Sequence, residues 1–360
     1  MASLFSSLTI GDLTLPSRIV MAPMTRHRAQ HGKIPGNLNA LYYAQRASAG
    51  LVITESTEID PHSSVEVPTR PGLYNDAQQA GWRLVTDAVH AAGGRIFVQL
   101  SHMGRAALPS QLRDGRWPVG PSALAAAGKI YTANGPEPYV EPQALSPDDI
   151  AGIVGEFADA AARAKNAGFD GIEIHGANGY LVDQFLRDGS NVRADGYGGS
   201  VENRFRFLRE IIEAAKAFWP AGRIGVRLSP TNPFQGMSDS DPVAHFAAIA
   251  ALLQPLGLAY LHIVAPAVVP DGQADAAPAI RAAFHGPLIV AGGYRREHAE
   301  AVLANGGADL VAFGEAYIAN PDLPQRWRID ATLNAADKST FYTTDAKGYT
   351  DYPSLELVDD

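Results

Sequence analysis

The chain has 360 residues, 46% of them hydrophobic, with no cysteine and a formal net charge of −9 at pH 7. The acidic balance, with no basic cluster longer than Arg295-Arg296, argues against nucleic acid or an anionic membrane as a partner, and the lack of cysteine removes disulfides, thiolate metal sites and cysteine nucleophiles. No apolar run approaches the ~18 residues of a membrane span, and the first residues lack a basic segment followed by an apolar one, so a cytoplasmic protein acting on small molecules is expected.

Thr9-Ile10-Gly11-Asp12-Leu13-Thr14 alternates about a Gly-Asp pair, which predicts a small hairpin covering the base of the fold. Buried strands are then expected at Arg18 to Ala22, Leu51 to Thr54, Ile96 to Val98, Gly171 to Ile174, Ile224 to Val226, Tyr260 to Val264, Leu288 to Ala291 and Leu310 to Phe313. Between them helices are expected over Asn37 to Ala49, Asp76 to Gly93, Ser146 to Gly168, about Phe205 to Pro220, Pro242 to Leu256, Ala276 to Phe284 and Glu297 to Asn305. The helix after Ser146 has the clearest start: Ser as cap, Pro at the first helical position and two aspartates in the first turn. Residues 101–145 are Pro- and Gly-rich and interrupt the rhythm, which places them as an excursion over the mouth of the fold, and 335–360 form a tail with no helical period that packs back on it. Eight apolar strands alternating with helices predict an α/β fold of the (β/α)8 TIM barrel type as a single domain over 1–360, with an open doubly wound sheet as the alternative.

In a barrel, residues at the carboxyl ends of strands share one face. Thr25 follows the first expected strand, Ser56 the second, Gln99 the third, His175 the fourth and Arg227 the fifth. Gly292-Gly293 and Gly314 follow the seventh and eighth, where glycine lets backbone N–H groups approach a phosphate. No G-x-G-x-x-G opens a helix after a strand, so no separate Rossmann unit is available for a dinucleotide. A rim phosphate site with Gln99 and Arg227 deeper in suits a mononucleotide. The fourth strand empties into His175, Asn178 and Tyr180 among Gly and Ala, a poor packing element and a good reaction site. No lysine falls on an expected strand, as a Schiff-base enzyme would want, and no His-x-His offers a metal centre, so no metal is expected.

From RIVMAPMTR (Arg18 to Arg26) through VQLSHMGR, HGANGYL (His175 to Leu181), YGGSVENR and AFGEAYIANPDLP to GYTDYPSL (Gly348 to Leu355), nearly the whole chain resembles the old yellow enzyme family of flavin-dependent ene-reductases. The resemblance implies non-covalent FMN, NAD(P)H as hydride donor, and reduction of activated alkenes such as enones, nitroalkenes and maleimides. By the same likeness Thr25 bonds the flavin O4, Gln99 holds the pyrimidine edge and Arg227 sits by N1 and O2. Backbone groups of Pro23, Met24 and Ser56 line the ring, and Gly292, Gly293, Gly314 and the position of Glu315 take the phosphate. His175 and Asn178 would grip the activating oxygen of the substrate, Tyr180 would protonate its α-carbon, and Tyr349 would lie near it. The protein is expected as a monomer or weak homo-oligomer. A non-catalytic flavin-binding barrel or a different FMN dehydrogenase of the same fold are the alternatives. Three positions depart from the pattern: Glu315 stands where the family usually has arginine, with Arg295 a possible substitute; the loop Pro61 to Pro71 lacks a frequent tyrosine; and Ser101 replaces a frequent tryptophan.

Overall fold

A computed structural model describes residues 2–62, 70–132, 134–269 and 272–355. Eight parallel strands close into a barrel: β1 (Ile19–Met21), β2 (Leu51–Glu58), β3 (Ile96–Ser101), β4 (Gly171–Gly176), β5 (Ile224–Leu228), β6 (Tyr260–Val264), β7 (Leu288–Ala291) and β8 (Leu310–Phe313), with β8 pairing β1 to complete the ring. The expected (β/α)8 barrel is the observed fold.

Alternation along the strands sorts the side chains into two sets. Ile19, Val52, Val98, Ile172, Ile174, Val226 and Val311 face outward and pack with the helices that surround the barrel. Val20, Leu51, Ile53, Phe97, Tyr260, Ile289 and Leu310 instead fill the lower barrel together with Ile10, Leu13 and Leu15 of the N-terminal hairpin, Leu8–Ile10 paired with Leu13–Leu15. Two glycines make this lower layer possible. A Cβ on Gly171 would lie 2.4 Å from the Phe97 ring and one on Gly225 2.3 Å from that of Tyr260, so the narrow interior holds both aromatics only because their neighbours have no side chain. Truncating Phe97 to Ala would cost about 3–5 kcal/mol through the cavity it leaves.

The sequence reading placed the boundaries of several elements differently. The first helix ends at Ala44, and a short helix, Leu181–Leu186, follows β4 before the expected one at Val201–Ala215. Strand β2 runs on to Glu58, because its register against β3 shifts between Ile53 and Ser56. In that bulge the Gln99 N–H, displaced from regular pairing, donates to Thr54 Oγ1 at 3.1 Å. Ser56 therefore lies within the strand and opposite Gln99.

Within the excursion, Lys129–Thr132 pairs with Gly135–Pro138, and Val119–Gly120 with Gln143–Ala144. Met103, Ala106, Ala107 and Leu112 of this segment pack with Tyr180. The C-terminal tail is tied to the turn after β1 by two arginines: Arg26 Nη2 donates to the Gly348 carbonyl at 2.7 Å, and Arg28 Nη2 to the Thr340 carbonyl at 2.8 Å.

Candidate active site

At the carboxyl ends of the strands, Thr25, Ser56, Gln99, His175, Asn178, Tyr180 and Arg227 line a single cavity of about 280 Å³ together with Pro23, Asn232 and Phe234. Seven polar residues that the sequence placed on five strand ends thus meet at one place. A neighbouring cavity of about 610 Å³ shares Pro23 and Arg227 with it and is lined by Met24, Gly292, Gly293, Arg295, Gly314 and Glu315.

Under the first cavity lies a network that the sequence did not reveal. Glu173, two residues before His175 on β4, points into the barrel and is fully buried. Its Oε1 accepts from Gln99 Nε2 at 2.7 Å and its Oε2 from His262 Nδ1 at 2.8 Å. Burial alone would raise the carboxyl, but His262, Arg227 and Gln99 outweigh it and hold Glu173 below the usual carboxylate range. His262 is lowered by burial and by the Arg227 cation, so it stays a neutral donor to an ionised Glu173. Gln99 is thereby fixed in orientation, its amide nitrogen committed to Glu173 and its carbonyl oxygen left toward the cavity.

His175 sits above this layer, level with Arg227 in the β4–β5 register. Burial first, then the cations Arg227 and Arg70, push its imidazole well below the ordinary histidine range, so it is neutral. Asn178 takes the left-handed conformation with φ 58°, which an asparagine tolerates and which concentrates at working sites. Its backbone N–H donates to Ser229 Oγ at 2.7 Å and its Oδ1 accepts from Asn232 Nδ2 at 2.9 Å. With that oxygen engaged, the Asn178 amide nitrogen remains as a donor. Tyr180 stands at the start of the short helix Leu181–Leu186, its ring 4.9 Å from that of His175.

Glu55 braces the turn that carries Thr25. Its Oε2 accepts from the backbone N–H groups of Arg26 at 2.9 Å and His27 at 3.3 Å. Ser56 and Ser101 share a hydrogen bond of 2.7 Å between their hydroxyls, so the serine at the usual tryptophan position is buried and engaged.

Two orphaned atoms show what the cavities are suited to hold. His175 Nδ1 and Arg227 Nε are buried without a hydrogen-bond partner, a costly arrangement that a polar ligand relieves. At the second cavity, Gly292 has φ 138° and Gly293 φ 75°, and a Cβ on Gly292 would lie 2.6 Å from the Ala265 carbonyl oxygen. Only glycine fits there, and it leaves bare backbone facing the cavity. Polar groups at Gln99 and Arg227 in one cavity and bare glycine backbone in the other fit the ring edge and the phosphate of the FMN that the resemblance implies.

Two expected residues stand apart. Tyr349 lines neither cavity: it is fully buried in the tail, stacked on Tyr42 at 3.9 Å with its hydroxyl accepting from Asn39 Nδ2 at 3.2 Å. The structure therefore does not bring it together with His175, Asn178 and Tyr180 along the lining of either cavity. Glu315 does line the second cavity, but its carboxylate pairs with Lys338 at 3.3 Å on an exposed edge, a partner more than twenty residues away that the sequence did not indicate. Residues 63–69 of the Pro61–Pro71 loop lie outside the described residues. The sequence also passed over Asn232, Glu173 and His262. An asparagine beside a proline in a loop, or a polar residue inside an apolar strand, was the available signal.

Among known proteins, the model of the NADH:flavin oxidoreductase / NADH oxidase family matches residues 3–334. A 12-oxophytodienoate reductase 1 from Oryza sativa subsp. japonica is 43% identical over 364 residues, covering 99% of this chain and 94% of its own. A probable flavin mononucleotide-dependent alkene reductase from Leishmania infantum is 41% identical, covering 97% and 96%. The solved structure of morphinone reductase in complex with tetrahydroNAD is 46% identical, covers 100% of this chain and 99% of that one, and superposes with a TM-score of 0.94.

Proposed function

Since the chain belongs to the old yellow enzyme family of FMN-dependent NADH:flavin oxidoreductases and alkene reductases, we propose that it uses NAD(P)H to reduce the C=C bond of α,β-unsaturated carbonyl or nitro compounds. The observation that carries this reading is the convergence of His175, Asn178 and Tyr180 on the same cavity as Thr25, Gln99 and Arg227. FMN held there would supply hydride-transfer chemistry between a nicotinamide and an activated alkene. Thr25, Gln99 and Arg227 would hold its ring, with Pro23, Met24 and Ser56 alongside, and Gly292, Gly293, Gly314 and Arg295 its phosphate. The complex of morphinone reductase with tetrahydroNAD supports a nicotinamide donor.

The roles of the protein groups follow from their hydrogen bonds. Neutral His175 offers one N–H, and Asn178, its oxygen taken by Asn232, offers its amide N–H. Two donors aimed at one carbonyl or nitro oxygen stabilise the negative charge that grows there as the double bond is reduced, and being fixed in advance they need no reorganisation. The Tyr180 hydroxyl, whose ring stands 4.9 Å from that of His175, is then the acid that delivers a proton to the α-carbon. Arg227 supplies a permanent cation beside the ring.

The decisive experiment is anaerobic. The purified protein should be yellow or take up FMN, NADPH or NADH should bleach it, and cyclohexenone should restore the colour. A protein that neither carries nor takes up FMN, or one whose bleached form is not reoxidised by any enone, nitroalkene or maleimide, overturns the proposal.

A further inference from the structure

A cavity of about 500 Å³ opens between the excursion and the first turns of the helix Pro147–Asn166. It shares no lining residue with the two cavities of the active site, so a molecule held there is neither the alkene nor the flavin. Asp60, His102 and Glu156 converge in it, Val119 and Ile153 give it apolar wall, and Trp117, about half exposed, stands at its edge.

Two atoms of this cluster lack hydrogen-bond partners among the described residues. Glu156 Oε2 is buried with no bond to it, a costly state for an acceptor. The His102 side chain is only 3% exposed, and its Nδ1 accepts from the Gly104 N–H at 3.0 Å. Burial holds the ring down to about 4 against the pull of Asp60, so it is neutral and its single proton sits on Nε2. That N–H has no acceptor within bonding distance; the Asp60 carboxylate is 4.0 Å away.

The cluster sorts ligands by their chemistry. A metal ion would need a lone pair on Nε2, and the bond from Gly104 puts the proton there instead. An organic cation would face the His102 N–H, and an anion would face two carboxylates. A hydroxyl both accepts and donates. The three side-chain atoms lie within 4.8 Å of one another, so a point within about 2.8 Å of each exists, a hydrogen-bond length. One hydroxyl there accepts from His102 and donates to one carboxylate, and a neighbouring hydroxyl serves the other.

We propose that this cavity binds a polyol of the sugar type, with two adjacent hydroxyls seated on Asp60, His102 and Glu156 and the C–H face of its ring against Trp117. Its volume falls within the ~300–1,000 Å³ of small-molecule sites. The inference stands apart from the reading of the active site.

The test uses the purified full chain. Methyl β-glucopyranoside, methyl β-galactopyranoside and maltose serve as polyols, with cyclohexylamine, cyclohexanecarboxylate and Zn²⁺ as the cationic, anionic and metal alternatives. Calorimetry should give a Kd of about 1 mM for at least one polyol, the affinity of a ligand this small, with a change in tryptophan fluorescence. Glu156→Leu, at a partly exposed helix position, should weaken it about 10- to 100-fold, the range of a hydrogen bond to a charged group. Glu156→Gln, which keeps one acceptor, should weaken it less. Trp117→Ala should lower affinity by about 3- to 10-fold and remove the fluorescence change. No binding of any polyol at about ten times that Kd, or binding undiminished in both Glu156→Leu and Trp117→Ala, overturns the site and leaves the cluster to water. Tighter binding of the amine, the carboxylate or Zn²⁺ than of every polyol, lost in Glu156→Leu, overturns the ligand class.

Discussion

Replacing Glu173 with Gln should destabilise the protein far more than its conservative shape implies. Both carboxylate oxygens accept bonds from fixed donors, Gln99 Nε2 at 2.7 Å and His262 Nδ1 at 2.8 Å. A glutamine keeps one acceptor oxygen and turns an N–H₂ toward the other donor. One charge-assisted bond of about 1.5–3 kcal/mol is lost and the other falls to a neutral bond of about 1 kcal/mol. The buried Arg227 also loses the compensating field of a carboxylate. Together these give about 3–4 kcal/mol, a large share of the ~5–15 kcal/mol that holds a domain folded. Equilibrium urea unfolding at pH 7 would read the difference. Because the folded state holds Glu173 below its unfolded value, its contribution is full above the ordinary glutamate value of about 4.3 and is lost as pH falls through the depressed one. The gap between wild type and Glu173→Gln should therefore shrink as the pH falls below about 4. A gap under about 1 kcal/mol at pH 7, or one that widens in acid, would refute the claim that an ionised carboxylate organises this layer.

Tyr180→Phe should slow alkene reduction by about 10²- to 10⁴-fold while leaving flavin reduction by the nicotinamide much less affected in stopped-flow measurements; equal losses in both would remove the phenol from the acid role. Asn232→Ala frees the Asn178 amide to rotate, so KM for enones should rise, with flavin content unchanged. Gly292→Ala puts a Cβ within 2.6 Å of the Ala265 carbonyl at φ 138° and should cost about 1–3 kcal/mol, with loss of bound FMN on dialysis as the measurement. Glu315→Arg should raise FMN retention in the same assay, since it replaces a carboxylate at the phosphate cavity; equal or lower retention counts against that cavity's assignment. Glu156, pushed up to about 7 by burial and by the carboxylates of Asp60 and Asp159, favours the protonated folded state. Its contribution declines as pH rises from the unfolded value through 7, so Glu156→Gln should raise Tm at pH 8 more than at pH 5.

The barrel was legible because each strand is a short, mostly apolar run and all but the sixth are closed by polar residues or glycine, a punctuation that does not depend on distant partners. His175, Asn178 and Arg227 could be set on one face by topology alone. What the sequence hid were pairings that exist only in three dimensions. Gln99 and His262 reach Glu173 from strands 74 and 89 residues away, and in the linear chain Glu173 is a polar letter inside an apolar word. Ser56 was read as lying beyond the strand because Glu55 breaks the apolar pattern after Thr54, whereas the strand runs on through the bulge, with partners for Thr54 in Gln99 and for Glu55 in Arg26 and His27. Tyr349 looked like a site residue because its segment matches a motif. Its ring is used up by Tyr42 and the arginines over it.

The grip of Arg26 and Arg28 on the tail has a bearing on biosynthesis. The turn that presents Thr25 leaves the ribosome early, yet its arginine partners, the carbonyls of Thr340, Phe341 and Gly348, emerge more than 300 positions later. At about 5–20 residues per second, that interval is roughly 15–60 s. During it the nascent protein carries charged side chains whose final acceptors have not yet been translated, so the turn that presents Thr25 is locked in place only after elongation.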